Sequence, residues 1–334
     1  MKGIWVLGEG AAGPLGLARL EGAPETAGPR CVPSDLNLKE GFPPQALRWA
    51  DPSTLFWLNA ARQAQTGAGF LPDQGTGQVV GLGWGPTAPV LALLEPARQG
   101  DFASMNPSLF PYSVGNAPAG MAGLLLRLDG PAQTLHGKEA AGLAALVEAA
   151  RILSGGVLER CVAGGSDHLD PVVREVVEPY RGAGATPLGE GAYALALASL
   201  EEAPARGVRV AAWSARSVSC PPHRFPPPGA LYDRLLDSLL DRAGWGSDVE
   251  GLVFLQEDTP RLRREGAQWL ARRLPKAHPE AFQERLGACG AAWAGAAVMG
   301  TRALRQGRAR RALLLAVATG GAGWGLALER GDVE

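Results

Sequence analysis

Apolar residues along the chain fall into short continuous runs bounded by glycine, with alanine-rich stretches of helical period between them. GIWVLG (Gly3–Gly8) is such a run and predicts a buried strand ending in glycine. PSTLFWLNAARQAQTG (Pro52–Gly67) predicts a helix, with Ser53 placed to cap its first turn and Gly67 to close it. QVVGLG (Gln78–Gly83) predicts a second buried strand, and EAAGLAALVEAARIL (Glu139–Leu153) a helix stopped by Gly155 and Gly156. CVAGG (Cys161–Gly165) and AYALALASL (Ala192–Leu200) read as strands. The pattern then begins again, with a strand at Gly207–Ala212, an amphipathic helix at Leu231–Ala243 and a strand at Leu252–Leu255. A small-residue helix at Gly290–Leu304 and a hairpin-like pair, Leu313–Val317 and Gly325–Leu328, complete it. Strands alternating with helices predict an α/β protein with a mostly buried sheet. The repeated layout predicts an internal duplication, with one half over 1–204 and the other over 205–334 of one compact unit.

Composition narrows this picture. Over 334 residues, 46% are apolar and 19% charged, enough for a large core and against disorder. Lys and Arg total 32 against 33 Asp and Glu, so no overall field draws in nucleic acid or an anionic membrane. Cys31, Cys161, Cys220 and Cys289 are widely scattered without histidine clusters. That predicts no metal site and no disulfide framework, and a reducing, cytoplasmic setting. MKGIWVLGEG meets Gly and Glu too soon for a secretory signal, and the long uncharged stretch from Phe102 to Leu126 holds three prolines, so no membrane span is expected.

Candidate chemistry rests on the order of five segments: SLFPYSVGNAPAG (Ser108–Gly120), LLLRLDGP (Leu124–Pro131), CVAGGSD (Cys161–Asp167), LGEGAYALALAS (Leu188–Ser199) and ATGGAGWGLALER (Ala318–Arg330). In this order they resemble the β-ketoacyl synthases of the thiolase superfamily. The resemblance implies a five-layered αβαβα fold of two similar halves. It also implies a cysteine nucleophile at the N-terminus of the buried helix, where orphan amides favour the thiolate, and two histidines on loops of the second half. Counted from the GP turn, the nucleophile position holds Glu139. Gln256 follows the strand where the first histidine belongs, Gly287 takes the place of the second, and Thr319 replaces the phenylalanine of the closing turn. No catalytic position is intact on this alignment. A carboxylate is a poor nucleophile toward a thioester, and without histidines nothing stabilises the charge that develops.

Each residue also has an ordinary reading. A glutamate in the first turn of a helix complements the free N–H groups there. His136 is a candidate replacement base or a structural loop histidine, and His168, His223 and His278 are expected at the surface. The substrate-pocket candidates are therefore His136, Glu139, Gln256 and Thr319. Arginines gather in Arg261–Arg273 and Arg302–Arg311. They read as solvated helix faces or, with Arg302, Arg305, Arg308, Arg310 and Arg311, as a basic patch for an acidic carrier protein. No Walker or GxGxxG loop is present, so a nucleotide cofactor is not expected. Such a resemblance implies a catalytically inactive ketosynthase homologue. It would be a dimeric, chain-length-factor-type partner of an active ketosynthase, with polyketide, polyene or fatty acyl chains arriving on the phosphopantetheine of an acyl carrier protein. The rival readings are a malonyl-carrier-protein decarboxylase that primes synthesis and a stand-alone homodimeric acyl-binding protein.

Overall fold

The computed structural model describes residues 2–17, 20, 28–34, 36–205 and 207–331. The first half carries β1 (Gly3–Ala12), α1 (Pro52–Gly67), β2 (Gly77–Leu82), α2 (Thr87–Arg98), α3 (Phe110–Ser113), α4 (Ala117–Leu126), β3 (Ala132–His136), α5 (Ala141–Ser154), β4 (Arg160–Asp167), α6 (Pro171–Val177) and β5 (Gly191–Leu200). The second carries β6 (Val208–Ser217), α7 (Pro228–Ala243), β7 (Leu252–Leu255), α8 (Pro260–Arg273), β8 (His278–Pro279), α9 (Gln283–Leu286), α10 (Ala292–Arg305), β9 (Arg311–Val317) and β10 (Ala322–Arg330). Ten strands are hydrogen-bonded in the order β3-β2-β4-β5-β1-β6-β10-β9-β7-β8. Read outward from the β1–β6 junction, the two halves have the same plan, with β1, β5, β4, β2 and β3 matching β6, β10, β9, β7 and β8.

Three apolar clusters give the layers. α1 and α4 cover the outer face of the first half-sheet, and α7 and α8 cover that of the second. Between the half-sheets lie α5 and α10, packed on each other and on strands of both halves. This is the expected five-layered αβαβα arrangement. Helices can sit so deep only where side chains are small. A Cβ on Gly81 of β2 would lie 2.0 Å from the carbonyl oxygen of Ala141, and one on Gly165 of β4 would lie 2.9 Å from the Cα atoms of both Gly142 and Ala291. Both gaps are below any real Cβ contact, so glycine is what lets α5 and α10 rest against the sheet. Of the 14 residues of α5, 11 are buried. The exceptions are Ser154 and the pair Glu148 and Arg151, whose ion pair sits at the helix surface.

Local signals explain the helix ends. The Asp51 carboxylate accepts the Ser53 N–H at 2.8 Å and Pro52 opens α1, so the cap is Asp51 rather than the expected Ser53. α7 begins three residues before the expected start, at Pro228, and presents Leu231, Leu235, Leu236 and Leu239 to the core. The expected strand at Gly3–Gly8 continues to Ala12, because its pairing with β5 runs on past a bulge between Val6 and Gly8. The arginine-rich stretch 261–273 is α8, and its charges are paired in solvent, Arg273 with Asp233 at 3.0 Å and Arg261 with Glu265 at 3.2 Å. No helix among the described residues is long and apolar enough to cross a membrane.

Candidate functional site

The N-terminus of α5 opens into the main cavity, about 520 Å³, where the two halves meet. The expected helix start at Glu139 is a single 3-10 turn, Lys138–Ala140, that leads into α5. Lys138 takes the left-handed conformation (φ +50°), and its ammonium donates to the carbonyl oxygens of Pro222 at 2.9 Å and Thr319 at 3.1 Å. That turn aims Glu139 at the second half. The Thr319 N–H donates to Glu139 Oε2 at 3.1 Å, and Thr319 Oγ1 lies 3.0 and 3.2 Å from the two carboxylate oxygens. Burial pushes the Glu139 carboxyl above its ordinary range, the nearby Asp258 adds to the rise, and the Thr319 hydrogen bonds oppose it. Two of the expected pocket residues, from opposite halves, are thus one hydrogen-bonded pair.

Gln256 is not part of that pair. It is fully buried and turned away, accepting the Trp293 indole N–H at 2.9 Å and donating its amide to Asp258. Gln283 donates to the same Asp258 oxygen at 3.0 Å. The reason is local: the backbone N–H of Gln256 is held by the Tyr232 hydroxyl at 3.1 Å, which directs the side chain toward α10. Asp258 lines the cavity instead. Burial raises its carboxyl, against the hydrogen bonds from Gln283 and Gln256.

Position 287 has no room for a side chain. Gly287 has φ +81°, and a Cβ there would lie 2.4 Å from Cα and 2.6 Å from N of Gly189. The flanking bond from Ala288 N–H to the Pro187 carbonyl, 2.7 Å, holds the two segments together. At the expected position of the second histidine, Gly287, backbone therefore packs on backbone.

His136 is exposed at the end of the edge strand β3, lines two other clefts beside Gly115, and does not reach the Glu139 cavity. The five expected carrier-patch arginines lie outside the cavity as well. Arg305 binds Glu9 at 2.5 Å and the Val6 carbonyl at 2.6 Å, Arg302 donates to the Leu17 carbonyl, and Arg311 sits 4.7 Å over the Trp245 ring. Arg302 and Arg305 thus tie α10 to the N-terminal strand region, and Arg311 packs on Trp245. His168 is not at the surface either; it lies 4.0 Å from Asp51 and 3.9 Å from Glu190 with only 16% of its side chain exposed. His223 is exposed but lines the cavity mouth.

Residues that motif reading passed over complete the site. Asp167, last residue of β4, accepts N–H groups from Gly83 at 2.7 Å, Trp84 at 3.0 Å and Ala291 at 2.9 Å, tying the loop after β2 to the start of α10. Burial lifts its carboxyl to about 6. Cys289 lines the cavity, and burial, with the Asp167 charge, pushes its thiol well above the ordinary value. It therefore stays an unreactive S–H at neutral pH. Arg181, whose guanidinium burial pulls down, faces Asp258 and Glu139. Apart from these groups the wall is largely apolar, with Trp84, Val176, Leu188 and Phe225. The arrangement can bind and orient an elongated apolar ligand with a polar end. The Cys289 thiol in its lining is held protonated, and His223 stands at its mouth.

The family model for the β-ketoacyl synthase N-terminal domain matches residues 37–202. The solved structure described as the ishigamide ketosynthase/chain length factor superposes with a TM-score of 0.82 at 18% identity, covering 99% of this chain and 100% of that one. A type II PKS acyl-carrier protein in complex with its ketosynthase bound to the hexaketide (AntDE:AntF) gives 0.79 at 16% identity, over 98% of this chain and 99% of that one. A β-ketoacyl synthase from Burkholderia phymatum STM815 gives 0.81 at 18%, over 99% and 100%. At these identities the likeness is one of fold. No curated protein sequence matches the chain.

Proposed function

Residues 37–202 belong to the β-ketoacyl synthase family, and from that premise we propose that this protein is a non-condensing member, a chain-length-factor-type partner of an active ketosynthase. The observation that carries the reading is the Glu139–Thr319 pair at the head of α5. A hydrogen-bonded carboxyl stands where the fold would present a thiolate, and Gly287 is sealed against Gly189 where an imidazole would stand. A carboxyl held by Thr319 is a poor nucleophile toward a thioester, which supports the reading that this chain does not itself condense acyl chains. What remains is a shaped, largely apolar cavity between the halves, suited to limiting or guiding a polyketide or fatty acyl chain.

A partner subunit fits the surface. β3 is an edge strand whose outer backbone groups are unpaired within the chain, and it has little side-chain cover. α4 packs beside it, α3 on α4 and α2 on α3, and this region carries the exposed side chains of Leu91, Leu94, Phe102, Phe110 and Leu124. The structural relatives include a ketosynthase/chain length factor and a ketosynthase in complex with a carrier protein, which supports a ketosynthase and an acyl carrier protein as the partners.

Co-expression with a cysteine-bearing ketosynthase from the same biosynthetic locus tests this. The expected result is a stable 1:1 complex by light scattering that extends acyl chains on a carrier protein, while this chain alone makes no product. A stable self-dimer that ignores every cysteine-bearing homologue would instead favour a stand-alone acyl-binding protein. Release of carbon dioxide from malonyl carrier protein by the isolated chain would favour the priming decarboxylase.

A further inference from the structure

A second cleft lies on the far side of the segment 256–258, at the outer edge of the second half. It is a groove of about 320 Å³ between α8 and the strands β7 and β8. Its length follows α8, where Gly266, Ala267 and Ala271 leave space that larger side chains would fill, over a floor of Leu255, Leu262 and Leu270. The volume is at the lower end of the range of small-ligand pockets. Gln256 and Glu257 supply its inner polar wall, while Asp258, the next residue, faces the main cavity.

The polar groups of that wall are not equivalent. Both ends of the Gln256 amide are satisfied, by Trp293 and Asp258. The Glu257 backbone is satisfied too, its N–H donating to Gln283 Oε1 at 2.6 Å and its carbonyl accepting from the Thr186 hydroxyl at 2.6 Å. Glu257 Oε2, in contrast, is buried with no hydrogen-bond partner. Native structures rarely strand a buried carboxylate oxygen, and each such case asks for a missing donor. The charges around it are mostly negative. Glu280 shares the groove, Glu284 on α9 and Asp258 add to the field, and Arg263 on α8, the cation that opposes them, lies 4.0 Å from Glu284. Burial, then Glu284, lifts the Glu257 carboxyl to about 7 despite Arg263.

The geometry points to a binding site for a short aliphatic ammonium ion, with its alkyl stem along α8 and its N–H⁺ group donating to Glu257 Oε2. A cation there satisfies the stranded oxygen and offsets the carboxylate excess at once. An alcohol supplies only the hydrogen bond, and a carboxylate ligand would meet like charge.

Titration calorimetry on the whole chain with hexylammonium, hexanol and hexanoate tests the proposal. The expected result is one site for hexylammonium, with hexanol and hexanoate each weaker by about tenfold or more, the scale of one lost charge-assisted contact. Glu257→Gln should weaken hexylammonium binding by about tenfold, and Ala271→Trp, an exposed position that fills the groove, should abolish it. If Glu257→Gln fails to fold, the head-group series and Ala271→Trp still decide. Equal binding of all three ligands, no binding of hexylammonium at millimolar concentration, or binding unaffected by Ala271→Trp would overturn the site.

Discussion

Replacing Glu139 by alanine removes one of the two side chains, with Lys138, that join the head of α5 to Thr319 of the second half. The variant loses the Thr319 N–H bond at 3.1 Å and the Thr319 hydroxyl bond at 3.0 Å. At about 1 kcal/mol net per hydrogen bond, and with the Thr319 N–H left facing a cavity that water can enter, the expected loss is about 1–3 kcal/mol. The size of the loss depends on pH, because burial holds the Glu139 pKa above its ordinary value. A carboxyl raised in this way contributes stability that is fully present below its unfolded pKa and is lost as pH rises through the folded one. Glu139→Ala should therefore be most destabilised relative to the parent at mildly acidic pH, and the gap should narrow as pH increases. Glu139→Gln keeps an acceptor for the N–H and a donor for the hydroxyl without the ionisation, so it should match or exceed the parent at pH 8. Urea melts of the three proteins at pH 5 and pH 8 read these differences directly. For a chain of this size each kcal/mol also moves the melting temperature by about 2 °C. A gap that widens with pH would refute the reasoning. So would an alanine variant as stable as the parent at pH 5 whose partner complex has lost product formation, since that outcome makes Glu139 catalytic.

Glu139→Cys should not create a condensing enzyme, because Gly287 cannot accept an imidazole against Gly189; product analysis with acyl and malonyl carrier protein checks this. Asp167, lifted to about 6, contributes stability that falls as pH rises through its ordinary range to about 6. Asp167→Asn should flatten that part of the stability profile while lowering stability by about 1–3 kcal/mol, measurable by urea melts across the interval. Gly165→Ala places a methyl 2.9 Å from two Cα atoms of the central helices and should cost about 1–3 kcal/mol, read from the shift of the denaturation midpoint.

Elements with a continuous apolar run were legible in the sequence. α1 and β7 have the expected bounds, and most other expected elements differ by one to a few residues at their ends. Other segments escaped prediction for local reasons: β3 (AQTLH) is polar at an edge, α2 carries Pro96 in its interior, and α4, though apolar, opens on Pro118 and has no polar face to mark a helical period. At the site, the order of motifs named Glu139 and Thr319 as separate pocket candidates, and their hydrogen bond became visible only in the fold. The direction of Gln256 was not legible, since it is set by Tyr232 and Trp293, far away in sequence. The same holds for Asp167 and Asp258. An aspartate at a strand end is common, and only the fold shows that the Asp167 oxygens meet N–H groups from two separate segments, the loop after β2 and the start of α10.

The central place of β1 has a consequence for how the chain is made. Trp5 pairs with Ala198 on one side and Arg209 on the other, so its ladder partners are translated almost two hundred residues later. At ribosomal speeds of about 5–20 residues per second, that is a wait of roughly 10–40 s. During that time an apolar strand with two open edges is free to pair with the wrong neighbour. Early cover comes from α1, whose Ala60 and Ala64 carbonyls lie against Gly10 and Gly8 and whose last residue is number 67. The α1–β1 contact thus acts as a built-in chaperone for the nascent chain.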